Sequence, residues 1–297
     1  MEVNAVPATP GPLARRRQLG TALRRYRVDA GLSINDVARE LLCSAAKISR
    51  LETAQRPASL RDVRDLCNLY RVSPSTRAKL MKLAEESREA AWWQQRRLEP
   101  NLEKYVGLEG AAREIIDYQN SVVPGLLQTA EYAEAILRLW IPDDPAALAD
   151  TVEIRMKRQD LLESDTSVRI VIDESALRRP IGGPEIMRRQ FDRLIELSNV
   201  PLIDMRVIPY AAGEHKGTTG GFTVLRFSTD PSSHPELELP DVVYVEGVAA
   251  GQYFDQPGEV RAYIDLFATL QEAALPKADT TSFLESVRRT AGSRIER

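Results

Sequence analysis

Cysteine and histidine are almost missing from this chain: its 297 residues hold two of each. Cys43 and Cys67 both sit in apolar stretches with helical spacing, so neither a disulfide framework nor a thiolate zinc site is expected. His215 and His234 lie in segments rich in turn residues and share no ligand spacing with a cysteine, so no metal and no cofactor is expected. No run of about 18 apolar residues occurs, which removes a membrane-spanning helix from the expected elements. The start of the chain, with its prolines and Arg15-Arg16-Arg17, lacks the apolar core of a signal peptide, and the cytoplasm is the expected location. No internal repeat is visible, which argues against a stacked-repeat architecture.

What is present is the composition of a soluble globular protein long enough for two domains: 43% hydrophobic and 28% charged residues, with a mean hydropathy of −0.30. The net charge of −3 conceals a division. Residues 1–100 hold 19 Lys+Arg against 11 Asp+Glu, a net of +8, and the remainder holds 21 against 32, a net of −11. A basic head on an acidic body is expected when the head meets a polyanion and the body does not.

Hydrophobic spacing divides the chain further. Residues 1–14 carry three prolines and read as a disordered arm. Leu19, Leu23 and Tyr26 then recur at helical spacing as far as Gly31, a helix stop. Ser33 follows as an N-cap, with Asp36 three residues on in a capping-box arrangement, and Ser44 caps the next helix. A fourth helix carries Leu60, Val63, Leu66, Cys67 and Tyr70, and a fifth runs from Ser73-Pro74 towards Trp92 and Trp93. The spacing therefore predicts an all-α domain of five helices over 15–91 and a polar linker over 92–104. An α+β domain over 105–278 and a frayed amphipathic helical tail over 279–297 complete the chain. In the α+β domain, helices are expected near 105–120, 129–140, 145–163, 184–198 and 257–274. A sheet of about four strands is expected from 168–173, 204–209, 222–227 and 242–245.

Three residues, Leu41-Leu42-Cys43, separate the second and third helices, the spacing of a helix-turn-helix whose second helix enters the major groove of DNA. The stretch Gly31-Leu32-Ser33 through Val37-Ala38 to Ile48-Ser49-Arg50-Leu51-Glu52 resembles the Cro/CI-like (xenobiotic-response-element) helix-turn-helix regulators over residues 15–75. The physics of each polar position agrees with that resemblance. Ser33 and Ser44 leave backbone N–H groups at helix N-termini, where phosphates bind readily. Ala45, Ala46 and Lys47 would face the groove, with Ser49 and Arg50 one turn later and Arg56 just beyond. The resemblance places Arg50 at a base-reading position, where a guanidinium suits guanine O6 and N7. It makes Glu52 a buried structural acid paired with Arg27 rather than a DNA contact. This sequence departs from the family where Ile34 replaces a frequent glutamine, and where Leu42 and Ala54 replace glycines.

The body resembles the C-terminal domain of WhiJ-like developmental regulators. The resemblance rests on Val123-Pro124-Gly125-Leu126-Leu127-Gln128-Thr129, on Leu177-Arg178-Arg179-Pro180-Ile181-Gly182-Gly183-Pro184, and on Val207-Ile208-Pro209 through Gly213-Glu214-His215. It implies an antitoxin-type regulator working with a small BldB-like partner protein. Three further patterns invite an enzymatic reading and fail it. Ser44-x-x-Lys47 lacks the companion motifs of a β-lactamase-like serine site. The glycine-rich run 213–221 lacks the Gly-Lys-Ser/Thr ending of a phosphate-binding loop and is expected to be a wide hairpin loop. Asp143-Asp144 reads as solvated surface. No enzyme is expected. The expected function is sequence-specific transcriptional regulation, with a double-stranded operator as ligand and a body that binds the partner protein, dimerises the chain, or both. The alternative is a repressor sensing a small effector near 213–221, and a third reading is an enzyme fused to a DNA-binding head.

Overall fold

The computed structural model describes residues 11–89, 99–227, 239–248 and 250–293. The expected arm up to residue 10, residues 92–98 of the expected linker with Trp92 and Trp93, and His234 lie outside the described residues. The head comprises α1 (Pro12–Asp29), α2 (Ile34–Glu40), α3 (Ala45–Glu52), α4 (Leu60–Leu69) and α5 (Pro74–Glu86). Helix α1 thus begins at Pro12, ahead of residue 15, because a proline with its fixed φ suits the first helical turn. Four of the five helices start on a serine: Ser33, Ser44, Ser59 and Ser73 each accept the N–H three residues on. Leu19, Leu23, Val37, Ile48, Leu51, Val63, Leu66 and Leu80 interlock as the buried core.

The body continues with α6 (Pro100–Glu109), β1 (Glu114–Gln119), α7 (Ala130–Leu137), α8 (Pro145–Arg158), β2 (Ser167–Asp173), α9 (Glu174–Arg178), α10 (Pro184–Ser198), β3 (Ile203–Ile208), β4 (Phe222–Arg226), β5 (Val242–Val245), β6 (Gln252–Phe254), α11 (Pro257–Ala273) and α12 (Lys277–Ser293). One mixed sheet runs in the order β3-β2-β1-β4-β5-β6, parallel across β1, β2 and β3 and antiparallel from β4 outwards. Among the described residues, six strands replace the expected four or so. The missing ones are intelligible. Strand β1 is buried on both faces at Ile115, Ile116, Asp117 and Tyr118, so it lacks the alternation that marks a half-exposed strand, and it falls within the span 105–120 where a helix is expected. Strand β6 has three residues, too few to show a period.

Helices cover both faces. Ile115, Ile170, Ile172, Met205 and Val207 meet Tyr132, Phe191, Leu194 and Leu284 on one side. Ile116, Tyr118, Val171, Phe222, Val224 and Val243 meet Val260, Phe267 and Leu270 of α11 on the other. Over its described residues, the expected frayed tail lies in a helix that contributes to the core. Leu284 and Val287 of α12 are buried in the first of these clusters, and the chain entering α12 lies along the edge strand β3 through Leu275 N–H to Val207 O at 2.8 Å. The wide hairpin is likewise corrected: residues 213–221 connect β3 to β4, which β2 and β1 separate in the sheet.

Head and body touch. Ala14 packs with Ala111 and Leu239, and Arg17 Nη2 lies 2.8 Å from Asp255 Oδ2.

Candidate nucleic-acid interface

The turn between α2 and α3 is built by backbone bonds. Leu42 N–H donates to Arg39 O and Cys43 N–H to Ala38 O, the paired bonds of a Schellman end, and Leu42 carries the positive φ of 48° that this motif requires. The turn after α3 uses Ala54 at φ 59°, and that after α4 uses Arg71 at φ 56°. Only the end of α1 places a glycine there, Gly31 at φ 69°. The two positions where the resembled regulators carry glycine, Leu42 and Ala54, are therefore left-handed here too, without glycine's freedom.

The two candidate phosphate-binding N-termini differ. At α2, Asp36 accepts from Ser33 N–H at 3.0 Å and from Ser33 Oγ, and these hydrogen bonds hold its carboxyl below the usual range. A carboxylate already occupies that N-terminus. At α3, Ser44 Oγ accepts from Lys47 N–H at 3.2 Å and the first turn holds no acidic residue; the first N–H groups of a helix, here those of Ala45 and Ala46, have no partner within it. The arrangement favours an anion at Ser44 over Ser33.

Along α3, Ile48, Leu51 and Glu52 face inward. Ala46 and Arg50 are exposed, whereas Ala45, Lys47 and Ser49 are half-buried. Arg50 Nε rests on Ala46 O of its own helix at 3.2 Å, and Arg56, also exposed, donates its N–H to Arg50 O. Lys47 is differently placed: its Nζ meets Asp62 Oδ1 of α4 at 2.5 Å. Asp62 was not singled out from the sequence, although Ser59-x-x-Asp62 spells the capping box that fixes it. Glu52 pairs with Arg27 of α1, and α1 comes close enough to α3 that a Cβ on Gly20 would lie 2.7 Å from the Leu51 and Glu52 carbonyl oxygens. Two members of the basic triplet of α1 are tied to carboxylates: Arg15 pairs with Glu86 and Glu89, and Arg17 with Asp255.

A family model described as a helix-turn-helix domain matches residues 18–80, the span of these helices. A second, described as a domain of unknown function (DUF5753), matches residues 102–286, more than half of the chain. The chain belongs to the DUF5753 family. No curated protein and no solved structure matches it. The head is a helix-turn-helix DNA-binding domain, joined to a DUF5753 body of mixed sheet and helices. No described helix is long and apolar enough to cross a membrane.

Within the DUF5753 body the structure brings together residues that the sequence left apart. His215 Nε2 lies 2.9 Å from Asp173 Oδ2, Ser175 Oγ donates to Asp173 Oδ1, and Gly217 N–H donates to His215 Nδ1. The hydroxyl and the imidazole thus each bond an oxygen of the same carboxylate. The cluster ties the 213–221 crossover to the end of β2. A second polar knot joins Arg158 to Glu109 through two hydrogen bonds, Nε to Oε2 at 2.6 Å and Nη2 to Oε1 at 2.8 Å, beside the buried Asp117.

Proposed function

We propose that the protein is a sequence-specific transcriptional regulator of the Cro/CI-like type, with α3 as the reading helix in the major groove. One observation carries the reading. Helix α3 has an acid-free N-terminus and an exposed Ala46–Arg50 face, while its opposite face is locked into the core by Ile48, Leu51 and the Glu52 pair. Arg50 has no carboxylate partner among the described residues and needs only to leave a carbonyl of its own helix to reach a guanine edge. Binding-site selection from random duplexes tests this. Arg50→Ala should lose about 1–3 kcal/mol on the selected site and relax preference at one base position. An unchanged motif and unchanged affinity would remove Arg50 from the base contacts.

The resemblance to WhiJ-like regulators supports a body that receives a small BldB-like partner protein and pairs two copies of the chain on a two-half-site operator. Co-purification of the chain with the product of a neighbouring small gene, in the presence and absence of operator, tests the first. The body is assigned no catalytic role.

A further inference from the structure

We propose that Asp62 is a built-in competitor of DNA phosphate for Lys47, and that it weakens non-specific binding so that operator binding stands out above it. The inference rests on α3 being the reading helix. Lys47 is the only cation in the first turn of α3, the turn whose open N–H groups make it the phosphate-facing end. Its ammonium is nevertheless committed, 2.5 Å from Asp62 Oδ1, with the two side chains 29% and 17% exposed.

Of the two partners only the lysine is free to leave. Asp62 Oδ2 accepts from Ser59 N–H at 3.2 Å and from Ser59 Oγ at 2.8 Å, and Asp62 N–H returns a bond to Ser59 Oγ at 3.0 Å. That capping box anchors the carboxylate at the start of α4 whether or not Lys47 is present. Burial pushes the Asp62 carboxyl up, but the Lys47 ammonium and the Ser59 bonds outweigh it and leave it below the ordinary carboxylate value, so it is ionised at neutral pH. The pair stands on the wall of a cleft of about 370 Å³ between α3 and α4, also lined by Leu41, Ile48, Arg56 and Leu66. The lysine stem therefore has room to swing without repacking the core.

A phosphate offers Lys47 what Asp62 already offers, a single anionic oxygen. A half-buried pair is screened by salt less than an exposed one, so a loosely held duplex exchanges one contact for another with little gain. Non-specific DNA consequently leaves Lys47 on Asp62, and the protein binds it with one cation fewer. Operator docking, with Arg50 on a base edge, fixes a phosphate at the α3 N-terminus and compensates the broken pair. Arg50 has no such carboxylate among the described residues, and the two basic residues of α3 thus divide base reading from a gated phosphate contact.

The test uses the full chain and a non-operator duplex of mixed sequence, with affinity measured over a range of salt concentrations. Asp62→Asn keeps an acceptor for the Ser59 N–H and removes the competing charge. Asp62→Ser, another short acceptor, is a second neutral variant if the first melts early. The variant is expected to bind several-fold more tightly, with the slope of log K against log salt steeper by about 0.9, the signature of one added phosphate contact. Repeating the substitution in a Lys47→Ala background separates this from a general loss of negative charge, because there the steepening should vanish. Equal tightening in both backgrounds, or no change in slope, overturns the role of Asp62 and leaves the reading helix standing. A wild-type chain that binds no duplex at all overturns the reading of α3, and this inference with it.

Discussion

Arg27 and Glu52 join α1 to the end of α3 through two hydrogen bonds, Nε to Oε1 at 2.7 Å and Nη2 to Oε2 at 2.9 Å. Arg27 Nη1 also donates to Leu32 O at 2.8 Å, so the same guanidinium holds the turn that precedes α2. Both side chains are nearly buried, with 10% and 4% exposed. Removing Glu52 alone strands a buried cation, which costs about 3–5 kcal/mol, whereas removing both partners of such a pair is far milder. Glu52→Ala is expected to lower Tm much more than Lys47→Ala, whose pair is more exposed. Thermal melts of the two variants check it. Equal melting temperatures would show that the Arg27–Glu52 contact does not hold α3 in place.

The left-handed turns give a prediction of opposite sign. Leu42 and Ala54 adopt φ of 48° and 59°, a region that costs a residue with a Cβ about 1–2 kcal/mol. Glycine removes that cost and adds back roughly 0.5–1 kcal/mol of chain entropy in the unfolded state. Leu42 is 94% exposed, so little packing is lost with its side chain. Leu42→Gly and Ala54→Gly should each be neutral to stabilising, by up to about 1 kcal/mol, while Gly31→Ala, at φ 69°, should destabilise. Urea titrations of the three variants decide the matter, and a clear loss of stability in both glycine variants would contradict it.

Asp117 supplies a pH dependence. Burial pushes its carboxyl up to about 6 against the usual 3.8, although Gln119 and Thr223 both donate to Oδ1. A carboxyl whose folded-state pKa is raised contributes its stability below the unfolded value and loses it as pH rises through the folded one. Between about pH 4 and 6 the fold therefore loses roughly 2–3 kcal/mol at this site, and above that window it carries a buried anion. Asp117→Asn should be more stable than the wild type at pH 8, with the advantage shrinking towards pH 4. Denaturant midpoints of the two proteins across that range measure it. A pH-independent difference would mean that Asp117 does not titrate in the window.

The head was more legible in the sequence than the body, and the reason is physical. Ser33 with Asp36 and Ser59 with Asp62 are local signals, complete within four residues, and the apolar spacing of Val37, Ile48 and Leu51 is that of an isolated helix face. The body's sheet is long-range. Strand β1 pairs with β2 some fifty residues later and with β4 over a hundred later, and burial on both faces erases its alternation. Asp62 escaped notice for a related reason. Its helix-capping role is written in the sequence, but its contact with Lys47 exists only once α3 and α4 pack. His215 and Asp173 are forty-two residues apart and meet only across the β3–β4 crossover.

The division of charge leads to the last prediction. Residues 1–100 carry +8 and the rest −11, so the body should repel a duplex that the head attracts. The contact between them also consumes a cation, since Arg17 is tied to Asp255. A fragment of residues 1–100 retains the whole of the head's buried core, from Leu19 to Ala84, and releases Arg17. It should bind non-specific DNA at least as tightly as the intact chain. The advantage should fade towards physiological salt, where the screening length falls to about 8 Å. On a two-half-site operator the order should reverse if the body supplies the dimer contact, because paired reading helices must sit about 34 Å apart and a monomeric head reaches one half-site only. Sedimentation gives the oligomeric state of each protein, and footprinting on the selected operator gives the protected length. A fragment that is itself dimeric and protects the same operator with equal affinity would remove dimerisation from the body's roles, leaving partner binding or effector sensing. A monomeric fragment protecting half the length would assign the pairing to the acidic body.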